Sequence, residues 1–437
     1  MSEQPGLKKT LGPLMLWALG VGYVISGMYF GWNLGLREGG PYGLLAATVL
    51  VTVLYVAFVL GYAELACAIP RAGGAFIYAK RAFGPGAGLL AGTAQWVEFA
   101  FAMPAIAAAI GAYFHILFPA VPALVFAFAA YVLFTGLNIW GVRQSAIFEL
   151  VITILAVVEL LIFAGVAAPK FSWAAFALDP LPNGWWGAFA SIPFAIWFYV
   201  CIEGVANVAE ESRNPQKDVS RGFLTAMATL VVLALLTFFT ATGVGGWRSI
   251  VFEPGKTEPS DSPLPLALAQ VVGGDHPLYH MLIGIGLCGL VASFHGITLA
   301  AGRATFEFGR EGYVPRFLGT IHATRQTPVP ALLANMVIGF AALLTGKTGD
   351  IILMAIFGAL TMYVISMLSL FRLRAREPEL ERPFKTPLYP WVPLVALVLS
   401  LVSLGAMAYA QWRVGLVYLG VLALAYVWYI LFRRRAA

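Results

Sequence analysis

The chain has 437 residues, 60% of them hydrophobic and only 11% charged, with a mean hydropathy of +0.84. Soluble domains carry about 25% charged residues, so this composition excludes an ordinary water-soluble fold. The formal charge of +6 does not point to nucleic acid, because the basic residues sit in loops between apolar runs.

Twelve apolar runs are predicted to cross a membrane: 11–36, 43–69, 85–114, 121–139, 145–168, 185–209, 221–246, 279–309, 328–346, 349–371, 391–410 and 413–431. A span needs about 20 apolar residues to cross a hydrocarbon core about 30 Å thick. Lipid offers no partner to backbone polar groups, and no alternating ten-residue strand pattern is present, so the spans are expected to be helices. The polar head MSEQPGLKKT is followed by no small-residue cleavage site. The first run therefore reads as a retained span.

Twelve spans place both termini on one side. That side carries Lys8, Lys9, Arg71, Lys80, Arg81, Arg143, Arg213, Arg303, Arg310, Arg374, Arg382 and the Arg433–Arg435 run, among 21 of the 27 basic residues. Basic loops favour the cytoplasm, so both termini are expected there. The longest loop on the other side, about 247–278, is rich in Pro, Gly, Asp and Ser and reads as an irregular cap.

There is no P-loop and no HExxH. Cys67, Cys201 and Cys288 lie in apolar runs and are not spaced as a metal site or disulfide framework. No cofactor, metal ligand set or catalytic residue is expected, and the chain does not read as an enzyme. It moves, conducts or anchors something.

Two spans are weakened in mid-membrane. Span 1 reads VISGMYFGWN over 24–33, and span 6 with its exit reads PFAIWFYVCIEGVANVAEESRNP over 193–215. Interior glycine costs roughly 0.5–1 kcal/mol relative to alanine. An ionised Glu at the bilayer centre costs about 2.5 kcal/mol or more. Gly27 and Gly31, four apart, also fit close helix packing. Breaks in the first and sixth spans favour function instead, since paired interruptions in corresponding halves mark a transporter's substrate site. Spans 1–5 (11–168) and 6–10 (185–371) then form two inverted repeats, with 391–433 accessory.

Four stretches resemble the amino acid–polyamine–organocation permeases: SGMYFG at 26–31, ELACAIPRAGGAFIYAKRAFGP at 64–85, AEESRNPQKDVSRG at 209–222 and FGREGYVPRFLG at 308–319. Ser220 stands where a Pro is common in that superfamily. SGMYFGWN and WVEFAFAMPAIAAAIGAYF (96–114) look most like the ethanolamine permeases, although Met28 stands where that subfamily has an acidic residue. The resemblance implies a LeuT-like fold of twelve helices with a five-plus-five inverted-repeat core. It implies a secondary transporter in a bacterial cytoplasmic membrane. The solute would be a small amine such as ethanolamine or, given Met28, a zwitterionic amino acid, imported or exchanged and driven by protons. A non-transporting amine sensor on the same fold is the alternative, and the expected partners are the solute and membrane lipid.

The candidate substrate residues are Ser26, Gly27, Met28, Tyr29 and Phe30 at the first break, Trp197, Cys201 and Glu203 at the second, Glu98 in span 3 and His295 in span 8. The resemblance aligns Trp197 with an aromatic that covers substrate. A cation over its face gains about 0.5–2 kcal/mol. Glu98, Glu159 and Glu203 are the proton-coupling candidates: Glu98 and Glu203 are intramembrane acids, Glu98 with no basic residue in its span, and the resemblance places Glu159 near the region where some relatives carry a titratable lysine. Glu64 and Glu149 are expected to pair with loop cations. Glu210, Glu211, Arg213, Arg71 and Arg310 are expected to form a cytoplasmic gate network or a solvated loop.

Overall fold

In the computed structural model, which describes residues 9–433 without the side chains of 142–146 and 432–433, the chain forms seventeen α-helices. They are α1 (Pro13–Tyr29), α2 (Asn33–Ala68), α3 (Ala75–Phe83), α4 (Pro85–Leu117), α5 (Ala123–Trp140), α6 (Val142–Ala167), α7 (Trp173–Phe176), α8 (Gly184–Ile196) and α9 (Gly204–Asn207). Then follow α10 (Pro215–Thr242), α11 (Arg248–Val251), α12 (Pro263–Val272), α13 (Pro277–Arg310), α14 (Val329–Leu343), α15 (Thr348–Arg376), α16 (Trp391–Ala410) and α17 (Trp412–Arg433). Among the described residues the β contacts are two isolated bridges. Of the basic residues counted above, Lys8, Arg434 and Arg435 lie outside the described residues, as do the side chains of Arg143 and Arg433.

Nine helices among the described residues are long and apolar enough to cross a membrane. The other three expected spans are the interrupted ones and the short α14. Span 1 divides into α1 and the start of α2. Gly40, at φ +62°, followed by Pro41, kinks α2 where span 1 should end and span 2 begin. Only glycine takes that backbone conformation without strain. Span 6 divides into α8 and α9 around a run of turns, 197–203.

Burial sorts the helices. The apolar windows of α13 and α15 are 78% buried, whereas that of α17 is only 6% buried. The first two are central. The last presents Leu416, Val417, Leu419 and Leu424 outward as a lipid-facing surface. The 247–278 segment differs from the irregular cap expected of it, because α11 and α12 form there. Pro263 and Pro265 suit the first turn of α12, where the missing N–H has no helical partner to lose.

Candidate functional site

The two interrupted helices cross at their breaks. The α1 helix runs through Ser26, Gly27 and Met28 and stops at Tyr29. Phe30 is extended and Gly31 takes φ +88°. The break thus falls at 30–32, a few residues beyond Ser26–Gly27. The Ser26 N–H donates to Ser293 Oγ at 2.8 Å, and the Ser293 hydroxyl donates to the Gly22 carbonyl at 2.6 Å. A side chain of α13 therefore bridges two groups that a regular helix would join directly.

Glycine is required where the helices touch. A β-carbon on Gly27 would lie 2.3 Å from the Trp197 carbonyl oxygen, and one on Gly31 would lie 2.4 Å from the Trp197 indole. The Trp197 ring meets Phe30 edge to face, centroids 5.5 Å apart, and Trp32 stacks on Phe198 at 5.7 Å. The Trp197 indole N–H is buried and has no partner. Met28 is fully buried, and its carbonyl accepts from the Trp32 indole.

Glu98, Cys201 and Glu203 converge beside this crossing. One carboxylate oxygen from each acid and the Cys201 sulfur lie within 4.8 Å of one another, all buried. Glu98 Oε1 accepts the Cys201 backbone N–H at 3.2 Å, and Glu203 Oε2 accepts the Tyr363 hydroxyl at 3.2 Å. Tyr363 in turn shares a 2.8 Å hydrogen bond with Tyr55. Two carboxylates and a thiol are also the donor set among the described residues that could hold a metal ion.

Three other candidates, Tyr29, Glu159 and His295, are drawn elsewhere. The Tyr29 hydroxyl reaches Glu159 Oε2 at 2.6 Å, while Tyr113 donates to the Tyr29 carbonyl. This cluster sits under α12, against Leu264, Pro265 and Leu268. His295 Nδ1 lies 2.7 Å from Glu149 Oε2, both fully buried. Glu149 therefore meets a histidine in the interior and not a loop cation, because it packs against Gly22 of α1 and Gly296 of α13. Glu64 does pair with basic residues, bidentate with Arg374 at 2.8 and 2.6 Å and with Arg382 at 3.3 Å.

At the end bearing the basic loops, Arg71 and Arg310 share Glu307 at 2.9 and 2.7 Å. Arg303 meets Glu211 at 2.7 Å with both side chains no more than 1% exposed. Burial pushes the Glu211 carboxyl up from its ordinary range, and the Arg303 guanidinium pulls it back. Glu210 accepts the Ala72 N–H. These ties join the 71–74 loop, the exit of the sixth span and α13. Arg303 and Glu307 were not singled out from sequence. Their signal was an Arg–Glu pair four apart near the end of an apolar run, in GRATFE. Tyr55 and Tyr363 carried no comparable signal.

A family model described as amino acid permease matches residues 11–431. The chain belongs to the amino acid permease family. This permease is 30% identical over 410 residues to a protein named Uncharacterized transporter R00093 of Rhizobium meliloti (strain 1021), covering 90% of this chain and 85% of the relative. It is 24% identical to Branched-chain amino acid permease BcaP of Bacillus subtilis (strain 168), covering 92% and 88% of the two chains. With Asc-type amino acid transporter 1 of Mus musculus it shares 29% identity, over 91% of this chain and 76% of the relative. The names of these relatives are those of permeases and transporters, not of enzymes.

Proposed function

We propose that the permease is a secondary carrier for a small amino acid or a closely related amine, working by alternating access across a cytoplasmic membrane with both termini inside. The observation that carries this reading is the contact of Gly27 with the Trp197 carbonyl at two interrupted helices. A solute held there by backbone groups and the Trp197 indole would tie the two helices together. The bundle then rocks as a unit. Residues 11–168 and 185–371 act as the two inverted repeats, and 391–433 flanks them.

In this reading Ser26, Gly27, Met28, Phe30, Trp197, Cys201, Glu98 and Glu203 surround the solute. Tyr29 and His295 act one layer further out, through Glu159 and Glu149. Opening toward the cytoplasm requires Arg71–Glu307 and Arg303–Glu211 to part. Protons supply the driving force through Glu98, Glu159 or Glu203. The relatives named for amino acid transport support the substrate class.

Proteoliposomes containing the full chain test the proposal. Pre-loaded amino acid or amine should drive uptake of the labelled solute by counterflow, and the rate should saturate. Binding without counterflow would make the protein a sensor and sink the carrier reading. Flux that does not saturate would make it a channel.

A further inference from the structure

We infer that a groove between α4, α13, α14 and α17 seats an acyl chain of an anionic glycerophospholipid, with the head-group phosphate held at Arg316. The inference is independent of the solute carried. It starts from a cavity of about 250 Å³ lined by Trp96 of α4, Phe308 of α13, Ala334 and Ile338 of α14, and Val421 and Ala425 of α17. The groove follows from how the helices pack. α14 lies on α4, α5 and α13, while α17 lies on α4, α15 and α16. The two flank α4 without a substantial contact of their own. One end is closed by a stack of rings. Phe308 lies parallel to Tyr313 at 5.1 Å, and Tyr313 parallel to Tyr429 of α17 at 5.6 Å. Gly92 makes room for the stack, since a β-carbon there would lie 2.6 Å from the Phe308 ring.

The walls suit a hydrocarbon chain, and the polar groups on the floor are satisfied with one exception. The Trp96 indole donates to Asn335 Oδ1 at 3.2 Å, and the Asn335 amide donates to Thr305 Oγ1 at 3.0 Å. The Thr93 hydroxyl also lines the cavity, is 3% exposed and has no partner. A buried hydroxyl left unpaired is costly, and a lipid ester carbonyl would accept from it. The cavity is too small for a helix of a second copy. One helical turn, about 10 Å wide and 5.4 Å long, needs about 420 Å³. A flexible chain fits where a helix does not.

The head group is assigned from charge. The cavity lies at the end bearing the basic loops, and Val314 and Leu318, on either side of Arg316, both line it. Arg316 is exposed, and no ion pair among the described residues involves it. Its basic neighbours are already paired, Arg310 with Glu307 and Lys80 with Glu311. Phe317 beside it is 62% exposed. A guanidinium next to an outward apolar ring suits the membrane surface, where arginine attracts lipid phosphate. A lipid seated there would join α14 to α17, and so stabilise the fold.

The test uses the full chain purified in detergent and stripped of lipid, read by native mass spectrometry and thermal shift. The probes are dioleoyl phosphatidylglycerol, dioleoyl phosphatidylcholine and glycerol phosphate, which is the head group without a chain. Phosphatidylglycerol is expected to bind about fivefold tighter than phosphatidylcholine or more, the effect of one basic contact, and to raise the melting temperature. Glycerol phosphate is expected to do neither. Arg316→Gln should remove most of the preference between the two lipids. Ala334→Phe fills the groove from α14 and should abolish retention of the phosphatidylglycerol molecule.

Equal affinity for the two lipids, unchanged in Arg316→Gln, would overturn the head-group assignment. Phosphatidylglycerol binding unchanged in Ala334→Phe would place the lipid elsewhere and overturn the groove. Stabilisation by glycerol phosphate alone would reduce the site to an anion site without a chain. A wild-type dimer that Ala334→Phe converts to a monomer would show the groove filled by a second copy. The wild-type lipid series needs no variant, so the inference is exposed even if Ala334→Phe does not fold.

Discussion

The carbonyl oxygen of Trp197 rests on the α-carbon of Gly27, where a β-carbon would lie only 2.3 Å away. The next nearest atom is the Phe198 α-carbon at 3.0 Å, so both obstacles are backbone. No rotamer change relieves them. Gly27→Ala must separate the two broken helices, and overpacking of this kind costs about 1–3 kcal/mol. The variant is expected to melt several degrees lower and to lose counterflow. Gly165→Ala, at a helical glycine with nothing within 4 Å of the added carbon, is the control and should behave as wild type. Equal behaviour of the two variants would show that the crossing is not a constraint.

Trp197 carries two separable features, a ring against Phe30 and an unpartnered indole N–H. Trp197→Ala removes both and is expected to weaken solute binding at least about tenfold, as loss of a buried aromatic anchor does. Trp197→Phe keeps a ring and loses the N–H. If Phe restores most of the affinity measured by calorimetry, the ring is what the solute meets. If Phe binds as poorly as Ala, the N–H is the contact. Wild-type affinity in Trp197→Ala would remove Trp197 from the site.

What was legible in the sequence was local. Long apolar runs, the Gly-rich interruption at 26–31 and the Pro193 to Pro215 stretch mark spans and breaks through composition alone. The place of the first break was not local. Ser26 stays helical, and the chain turns only at Phe30–Gly31, while Ser293, 267 residues away, wedges into the preceding turn. The Glu149–His295 pair depends in the same way on a contact between residues 146 apart. Glu149 reads as a residue near a span end, and nothing around it in the sequence shows that α13 brings a histidine to it. Glu98 and Glu203 could be picked as unpaired intramembrane acids, but not as neighbours. Their meeting requires the turn at Cys201, whose positive φ is no property of a cysteine.

Arg303 and Glu211 form a fully desolvated pair, unlike Arg71, whose side chain is 45% exposed. Removing one partner of a buried pair costs about 3–5 kcal/mol, because the other is left charged and unpaired. Arg303→Ala should therefore lower the melting temperature markedly. Arg303→Met with Glu211→Gln should recover most of that loss. Arg71→Ala, at a partly solvated bridge worth about 0–1 kcal/mol, should leave stability nearly unchanged. It should raise the labelling rate of a cysteine reporter placed between the 71–74 loop and α13. An equal thermal cost for Arg71→Ala and Arg303→Ala would contradict this division.

Asp261 links the opposite face to pH. Its carboxylate accepts the Thr348 hydroxyl at 3.0 Å, closing the 252–262 segment onto the start of α15. Alongside it, the Asn33 side chain donates to the Ser260 carbonyl at 2.8 Å. Asp261 lines a cavity of about 510 Å³ on that face with Arg37, Glu38, Glu258, Lys347 and Asp350. Burial raises its carboxyl to about 6 from an ordinary 3.8, with the Thr348 hydrogen bond opposing and Glu253 adding to the rise. The folded state thus holds this proton more tightly than the unfolded chain does. Its contribution to stability is greatest below about pH 4, falls as pH rises through about 6, and is constant above that. Asp261→Asn keeps an oxygen for Thr348 and has no charge to bury. The melting temperature of wild type minus that of Asp261→Asn should become more negative between pH 4.5 and 7.5. A difference that stays flat, or rises with pH, would show that Asp261 is ionised without penalty and that this closure does not respond to protons through it.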